Sequence, residues 1–241
     1  MTAADLAVLF ASDDVVVVNK PSGIATEPDK SGATSLRDLV ARWLASRKMT
    51  GTPHAVSRLD VGVSGAVTFA FSDAGKKAAA QAKEAGRFQR RYIALAAGEL
   101  PERGLVDKPI EGKPASTGFR RIAVARAAKH APVSLVVFEP RTGRTHQIRI
   151  HATHARAPII GDRRYGGVAS VVDPRGRVHA VERVLLHAAA VRFDLGAGSN
   201  PPSFIVAPTP AEMLALWSCL DGSADAWEEV AACFAGSPRE L

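Results

Sequence analysis

Apolar positions along the chain fall into short runs divided by polar residues, Gly and Pro, and most of the runs read as strands. Residues 15–18 are four consecutive Val, followed by Asn19, Lys20, Pro21, Ser22 and Gly23, the pattern of a buried strand that ends in a turn. Thr34 or Ser35 is placed to cap a helix reaching about Lys48, because Leu36, Leu39, Val40, Trp43 and Leu44 recur at helical spacing. Residues 66–71 predict a strand, and Ser72 or Asp73 then caps a second helix through about Ala85, closed by Gly86. Strands follow at 88–97, 117–125 and 133–138, with a turn at Gly143 and Arg144. Residues 146–154 read as strand or helix; their histidines and arginines fit a helix better. Residues 185–193 and 203–206 predict late strands, Pro210 opens a helix at its first position through about Leu220, and an amphipathic helix spans 224–234.

Many short strands with few helices, and no regular strand–helix alternation, predict an α+β fold: a mixed, mostly antiparallel central sheet with flanking helices and loops. One catalytic-size domain is expected over 1–241, with its core at about 15–208 and a helical C-terminal segment at about 209–241. The Gly- and Arg-rich stretches 161–167 and 173–177 read as surface loops. The chain is 46% hydrophobic, enough for an ordinary globular core.

Charge adds a direction to this picture. The net charge is +7 and unevenly spread: residues 83–164 hold 17 Lys or Arg against 7 acidic residues, while 221–241 hold one basic and five acidic. A positive middle attracts polyanions, and RNA is the expected partner class. The two cysteines, Cys219 and Cys233, form no CxxC pair, so no disulfide framework is expected and a reducing cytoplasm fits. The N-terminal residues carry neither a basic leader nor a long apolar run, so no membrane span is expected.

Three stretches concentrate side chains capable of chemistry. In Ser57-Arg58-Leu59-Asp60-Val61-Gly62-Val63-Ser64-Gly65 an acid sits between an apolar strand end and a Gly/Ser turn. Such an Asp is ordinarily a turn or capping residue, although turns at strand ends also present functional groups. Residues 141–151 gather Arg141, Arg144 and Arg149 with His146 and His151 around Ile148 and Ile150. A solvated basic face and an RNA-facing surface both suit this pattern. His151 and His154 form an H-x-x-H, too few ligands for a zinc site, so no metal is expected. Tyr92, in Arg87-Phe88-Gln89-Arg90-Arg91-Tyr92, is either core packing or a platform for a base.

Taken in order, these motifs resemble the RluA-type family of RNA pseudouridine synthases. The resemblance rests on V-N-K-P-S-G-I at 18–24, R-L-D-x-x-x-S-G at 58–65, R-Y-I-A-L at 91–95, G-R-T-H-Q-I-R-I-H at 143–151, P-I-I-G-D-R-R-Y-G at 158–166 and L-L-H-A at 185–188. It runs from about residue 15 to 208. It implies Asp60 as the catalytic aspartate, Tyr92 as the tyrosine that packs on the target base and Arg144 as the arginine that pairs with the aspartate. Arg58 matches an arginine that can fill the gap left by the uridine. Leu59, His146, Gln147 and Arg149 fall in the same motifs and are expected on the substrate-binding side. Lys20 and Pro21 match a structural strand end near the site. Two positions depart from the family: Ser57 stands where His is usual, and Val63 where Thr is usual.

The implied reaction breaks the N-glycosidic bond of a uridine, turns the base and rejoins it through carbon. It calls for no cofactor and no metal, only an ionised carboxylate, which an adjacent Arg keeps charged against burial. The uridine must leave its stack, so a loop or a weak stem in rRNA or tRNA is the expected substrate, bound by a monomer. With the catalytic motifs starting near residue 15, no S4-type RNA-binding domain is expected ahead of them. A catalytically weak RNA-binding or RNA-chaperone protein on the same fold is the alternative. A glycoside hydrolase would want a second carboxylate, and only Asp60 stands out.

Overall fold

A computed structural model describes residues 6–30, 32–128, 131–195 and 204–235. The chain divides into two compact units, each discontinuous in sequence: Met1–Arg90 with Ala188–Pro208, and Arg91–His187 with Thr209–Leu241. The C-terminal segment therefore belongs with the middle of the chain.

In the first unit, β1 (Val8–Ala11), β2 (Val15–Lys20), β4 (Ser64–Ala70) and β11 (Leu186–Phe193, from Ala188 onward) lie in that order, with β3 (His54–Ala55) on β4 and β12 (Ile205–Val206) on β11. The four valines expected in a strand are β2, and all are fully buried. Val15, Val17, Val56, Ala66, Ala70, Val191 and Phe193 make one core, stacked on by Phe88 and met edge-on by Phe10. β2 and β4 pair antiparallel from Val15–Ala70 to Lys20–Gly65. The loop before Gly65 thus hangs from the end of β2 that carries Lys20. Gly65 has φ +117°, and a Cβ there would lie 2.3 Å from the Ala188 carbonyl oxygen, so only glycine fits. Two helices complete the unit: α1 (Leu36–Ser46) and α2 (Asp73–Glu84). Ser35 and Asp38 form a capping box on α1, and the Ser72 hydroxyl accepts from Gly75 N at 2.9 Å on α2.

The second unit holds an antiparallel sheet ordered β5 (Phe88–Ala97, from Arg91 onward), β8 (Val133–Pro140), β7 (Ser116–Ala125) and β6 (Arg103–Asp107), in which β6, β7 and β8 follow one another and β5 lies beside β8, with a separate β9–β10 hairpin (Ser170–Val172, Val178–Ala180). β5 pairs antiparallel with β8 from Tyr92–Phe138 to Ala97–Val133. The ambiguous stretch around 146–154 is a helix, α3 (Gln147–His154). The C-terminal segment forms two packed helices, α4 (Ala211–Cys219) and α5 (Asp225–Ala235). Pro210 is the cap of α4, one residue before the first-turn position expected of it. The acidic residues of this segment pair with arginines of the same unit: Glu212 with Arg183, Asp221 with Arg175 at 2.9 Å and Glu229 with Arg120. The α+β class and antiparallel pairing agree with the pattern of the sequence. Of the stretches expected as surface loops, 161–167 contains a 3-10 turn (Arg163–Tyr165) and a fully buried Asp162, while 173–177 links β9 to β10. Ser203, expected to begin the last strand, lies outside the described residues.

Candidate active site

The first unit presents Asp60 on a tightly held loop. Thr26, 33 positions before Leu59, is buried; its hydroxyl donates to Leu59 O at 2.9 Å and accepts from Leu59 N at 3.1 Å. Gly23 N donates to Val61 O at 2.8 Å, and the Ser22 hydroxyl donates to Gly62 O at 3.1 Å. The Lys20 ammonium, fully buried, donates to Ile24 O at 2.8 Å, Pro21 O at 3.0 Å and Val61 O at 3.2 Å. The backbone on both sides of Asp60, at Leu59, Val61 and Gly62, is therefore held from the strand end at residues 20–26. Asp60 O closes the turn by accepting from Val63 N at 3.0 Å, while the Asp60 side chain stays half-buried. Arg58 is exposed and Leu59 is buried beneath the loop. Burial and the guanidinium groups of Arg90 and Arg58 lower the affinity of the Lys83 amine for its proton; its ammonium donates to Val56 O at 2.7 Å.

The second unit carries Tyr92 and Arg144. Tyr92 sits in β5, 5% exposed. Its neighbour Arg91, on the opposite face of the strand, is anchored on Glu139 at 2.8 Å and on the Cys233 carbonyl of α5. Arg144 lies exposed in the loop before α3, its Nε donating to Pro114 O at 3.0 Å. Gln147 shapes that loop. Its Oε1 accepts from the Thr142 hydroxyl at 2.7 Å and Arg144 N at 2.9 Å, and its Nε2 donates to Ser116 O and the Thr117 hydroxyl, both at 2.9 Å. All four hydrogen bonds of a buried amide are thus spent inside the protein. Arg149 is also buried and grips the carboxylate of Asp162 with two bonds of 2.7 and 2.8 Å. His146, half-buried, bonds through Nδ1 to the Tyr165 hydroxyl at 2.8 Å.

His151, in the same helix, is fully buried. Its Nε2 must donate to the carbonyl of Lys108 at 3.0 Å, leaving Nδ1 to accept from the Thr117 hydroxyl at 2.8 Å. Burial holds its pKa below the usual histidine value. Unfolding frees this imidazole to bind a proton, so its stabilising contribution is full above about pH 6.5 and declines as pH falls below that. Thermal melts should therefore show lower stability at pH 5.5 than at pH 7.5, with a shallower dependence in His151→Gln. Equal slopes would mean that His151 does not titrate on unfolding.

Among the described residues no group of three His, Cys, Asp or Glu could hold a metal ion, and no helix is long and apolar enough to cross a membrane.

A family model described as RNA pseudouridylate synthase matches residues 14–154, which takes in both the Asp60 loop and the Arg144 loop. The chain belongs to this family. It is 34% identical over 199 residues to the uncharacterized RNA pseudouridine synthase YhcT of Bacillus subtilis, covering 76% of this chain and 65% of that one. It is 30% identical over 236 residues to ribosomal large subunit pseudouridine synthase D of Vibrio vulnificus, covering 89% and 70% respectively. The chain thus spans about two thirds of the length of these relatives. Among solved structures, human RNA pseudouridylate synthase domain containing 1 matches with a TM-score of 0.69 at 25% identity, covering 100% of this chain and 99% of that one. Human RNA pseudouridylate synthase domain containing 4 shares the fold, with a TM-score of 0.68, 18% identity and coverage of 89% and 93%. The members of this family are isomerases of RNA, in line with the resemblance read from the motifs.

Proposed function

We propose that this chain isomerises specific uridines in RNA to pseudouridine, with Asp60 as its catalytic residue. The observation that carries this reading is the Asp60 loop: its backbone is fixed at residues 59, 61 and 62 while the carboxylate side chain stays partly open to solvent. A loop fixed at its backbone holds a partly exposed carboxylate in place for a substrate. Ribosomal RNA is the first substrate class to test, since the Vibrio relative is named for the large ribosomal subunit; transfer RNA is the second. Asp60 acts at the ribose as nucleophile or base, Arg144 is its charge partner, and Tyr92 packs on the base. Arg58 and His146 meet the RNA directly. Leu59, Gln147 and Arg149 serve the substrate side from beneath, by holding the two loops. The uridine is flipped from a loop or stem, the protein works as a monomer, and its place is the cytoplasm. Substrate and product have the same formula: the carbon 5 proton leaves to solvent and N1 takes one up, so the chemistry needs no redox partner.

Mapping pseudouridine across total RNA with and without the gene tests this reading. Loss of pseudouridine at one or a few discrete positions is expected; an unchanged map contradicts it. Tyr92→Phe is expected to preserve RNA affinity and to slow single-turnover conversion by about tenfold, since only the hydroxyl is lost. Unchanged single-turnover kinetics would remove Tyr92 from proton transfer. RNA affinity should fall by about 10³-fold or more between 50 and 200 mM salt if six or more phosphates are contacted. A flat response would place the RNA away from the basic middle.

A further inference from the structure

The second unit holds a polar chain that the reading above leaves idle: Asp162, Arg149, Tyr165 and His146. It starts from the buried bidentate pair of Asp162 and Arg149. The Arg149 guanidinium carbon stands 5.0 Å from the centre of the Tyr165 ring, and that of Arg164 stands 5.5 Å from it. The tyrosine backbone is pinned as well: its carbonyl accepts from the Thr153 hydroxyl at 2.7 Å, and its amide donates to Asp162 O at 3.1 Å. The phenol ends on His146 Nδ1 at 2.8 Å, the two rings meeting edge to face.

What His146 forgoes makes this contact informative. It is the cap residue of α3, yet its side chain makes no capping bond. Its backbone is left-handed, φ 56° and ψ 20°, a conformation uncommon for a residue with a Cβ. Strain of this kind persists only where surrounding contacts over-determine it, and it gathers at functional sites. Gln147, not His146, satisfies the loop amide at Arg144. The imidazole of His146, two residues beyond Arg144, is thus turned away from ordinary helix capping and handed to Tyr165.

We infer that Tyr165 is a positioning residue for catalysis, acting through His146, which it holds in one ring orientation at the RNA-facing loop. This rests on the pseudouridine synthase reading above. Asp162 and Arg149 are the foundation of the relay, and the Tyr165 hydroxyl is its working end. Removing that hydroxyl leaves ring packing and the cation contacts in place but releases the imidazole.

The test uses the full chain and large-subunit ribosomal RNA transcribed in vitro. Tyr165→Phe should lower the single-turnover rate about tenfold with RNA affinity and melting temperature unchanged. In a His146→Asn background the same change should cost less than about twofold, because the partner it acts through is gone. Side-chain nitrogen NMR of the RNA-free protein should show the His146 Nδ1 signal shifted in Tyr165→Phe. Wild-type rate in Tyr165→Phe, equal losses in both backgrounds, or an unmoved His146 signal each overturn the inference. If Tyr165→Phe melts more than about 5 °C lower, His146→Asn alone decides: a slower rate at unchanged affinity supports the role, and a loss of affinity only removes it. A wild-type protein inactive on this RNA and on transfer RNA counts against the pseudouridine synthase reading, while the NMR result still judges the contact between Tyr165 and His146.

Discussion

Asp60→Ala is expected to abolish pseudouridine formation, by at least about 10³-fold, while leaving RNA affinity and melting temperature close to those of the wild type. The loop is held at its backbone on both sides of this side chain. Leu59 is held by Thr26, Val61 by Gly23 and Lys20, and Gly62 by Ser22, all through backbone groups that the substitution leaves in place. The turn itself uses the Asp60 carbonyl, which alanine also supplies. A variant with normal melting, normal affinity and no product would isolate the carboxylate as a chemical group. Asp60→Asn should be equally inactive, because shape and hydrogen bonding survive and only the charge is lost. Residual activity above about one tenth of wild type in either variant would contradict the assignment.

Arg149→Met carries the largest expected effect on stability. Arg149 is 8% exposed and its partner Asp162 is 1% exposed. Removing the cation leaves a buried carboxylate with its two strongest bonds gone, at a cost of about 3–5 kcal/mol. For a chain of this size that corresponds to a drop of about 6–20 °C in melting temperature. Replacing both partners, Arg149→Met with Asp162→Leu, should recover much of the loss, since two apolar groups leave no buried charge. A single substitution that melts within about 2 °C of wild type would mean that water reaches the pair.

Long, strongly patterned elements were legible in the sequence. The four valines of β2, the ten residues of β5 and the capped helices α1 and α2 follow from periodicity and capping chemistry alone. Short pieces were not. β1, β3, β6 and the β9–β10 hairpin have between two and five residues each, and their pairing comes from neighbours rather than from any run of their own. The β6 strand, Arg-Gly-Leu-Val-Asp, buries none of its side chains fully and so writes no apolar signature.

The candidate site divides in the same way. Asp60, Tyr92 and Arg144 were legible as motif residues. The grip of Lys20, Ser22 and Thr26 on the Asp60 loop was not, because it depends on β2 meeting β4 with Lys20 opposite Gly65. Polar letters in a basic stretch also concealed opposite environments. Arg144 is exposed, while Gln147 and Arg149, three and five residues later, are buried and fully engaged within the protein. Tyr165 and Asp162 sat in a quoted motif without a role, and only the distances to His146 and Arg149 give them one.

The most direct test of the central claim is hydrogen release from RNA tritiated at carbon 5 of uridine. Rejoining the base to the ribose through that carbon must expel its hydrogen, whichever way Asp60 acts. The purified full chain, mixed with such ribosomal or transfer RNA, is expected to release tritium to water in a small fixed number of equivalents per RNA and then stop. No release above the enzyme-free rate from either RNA, at protein in excess over RNA, would contradict the account.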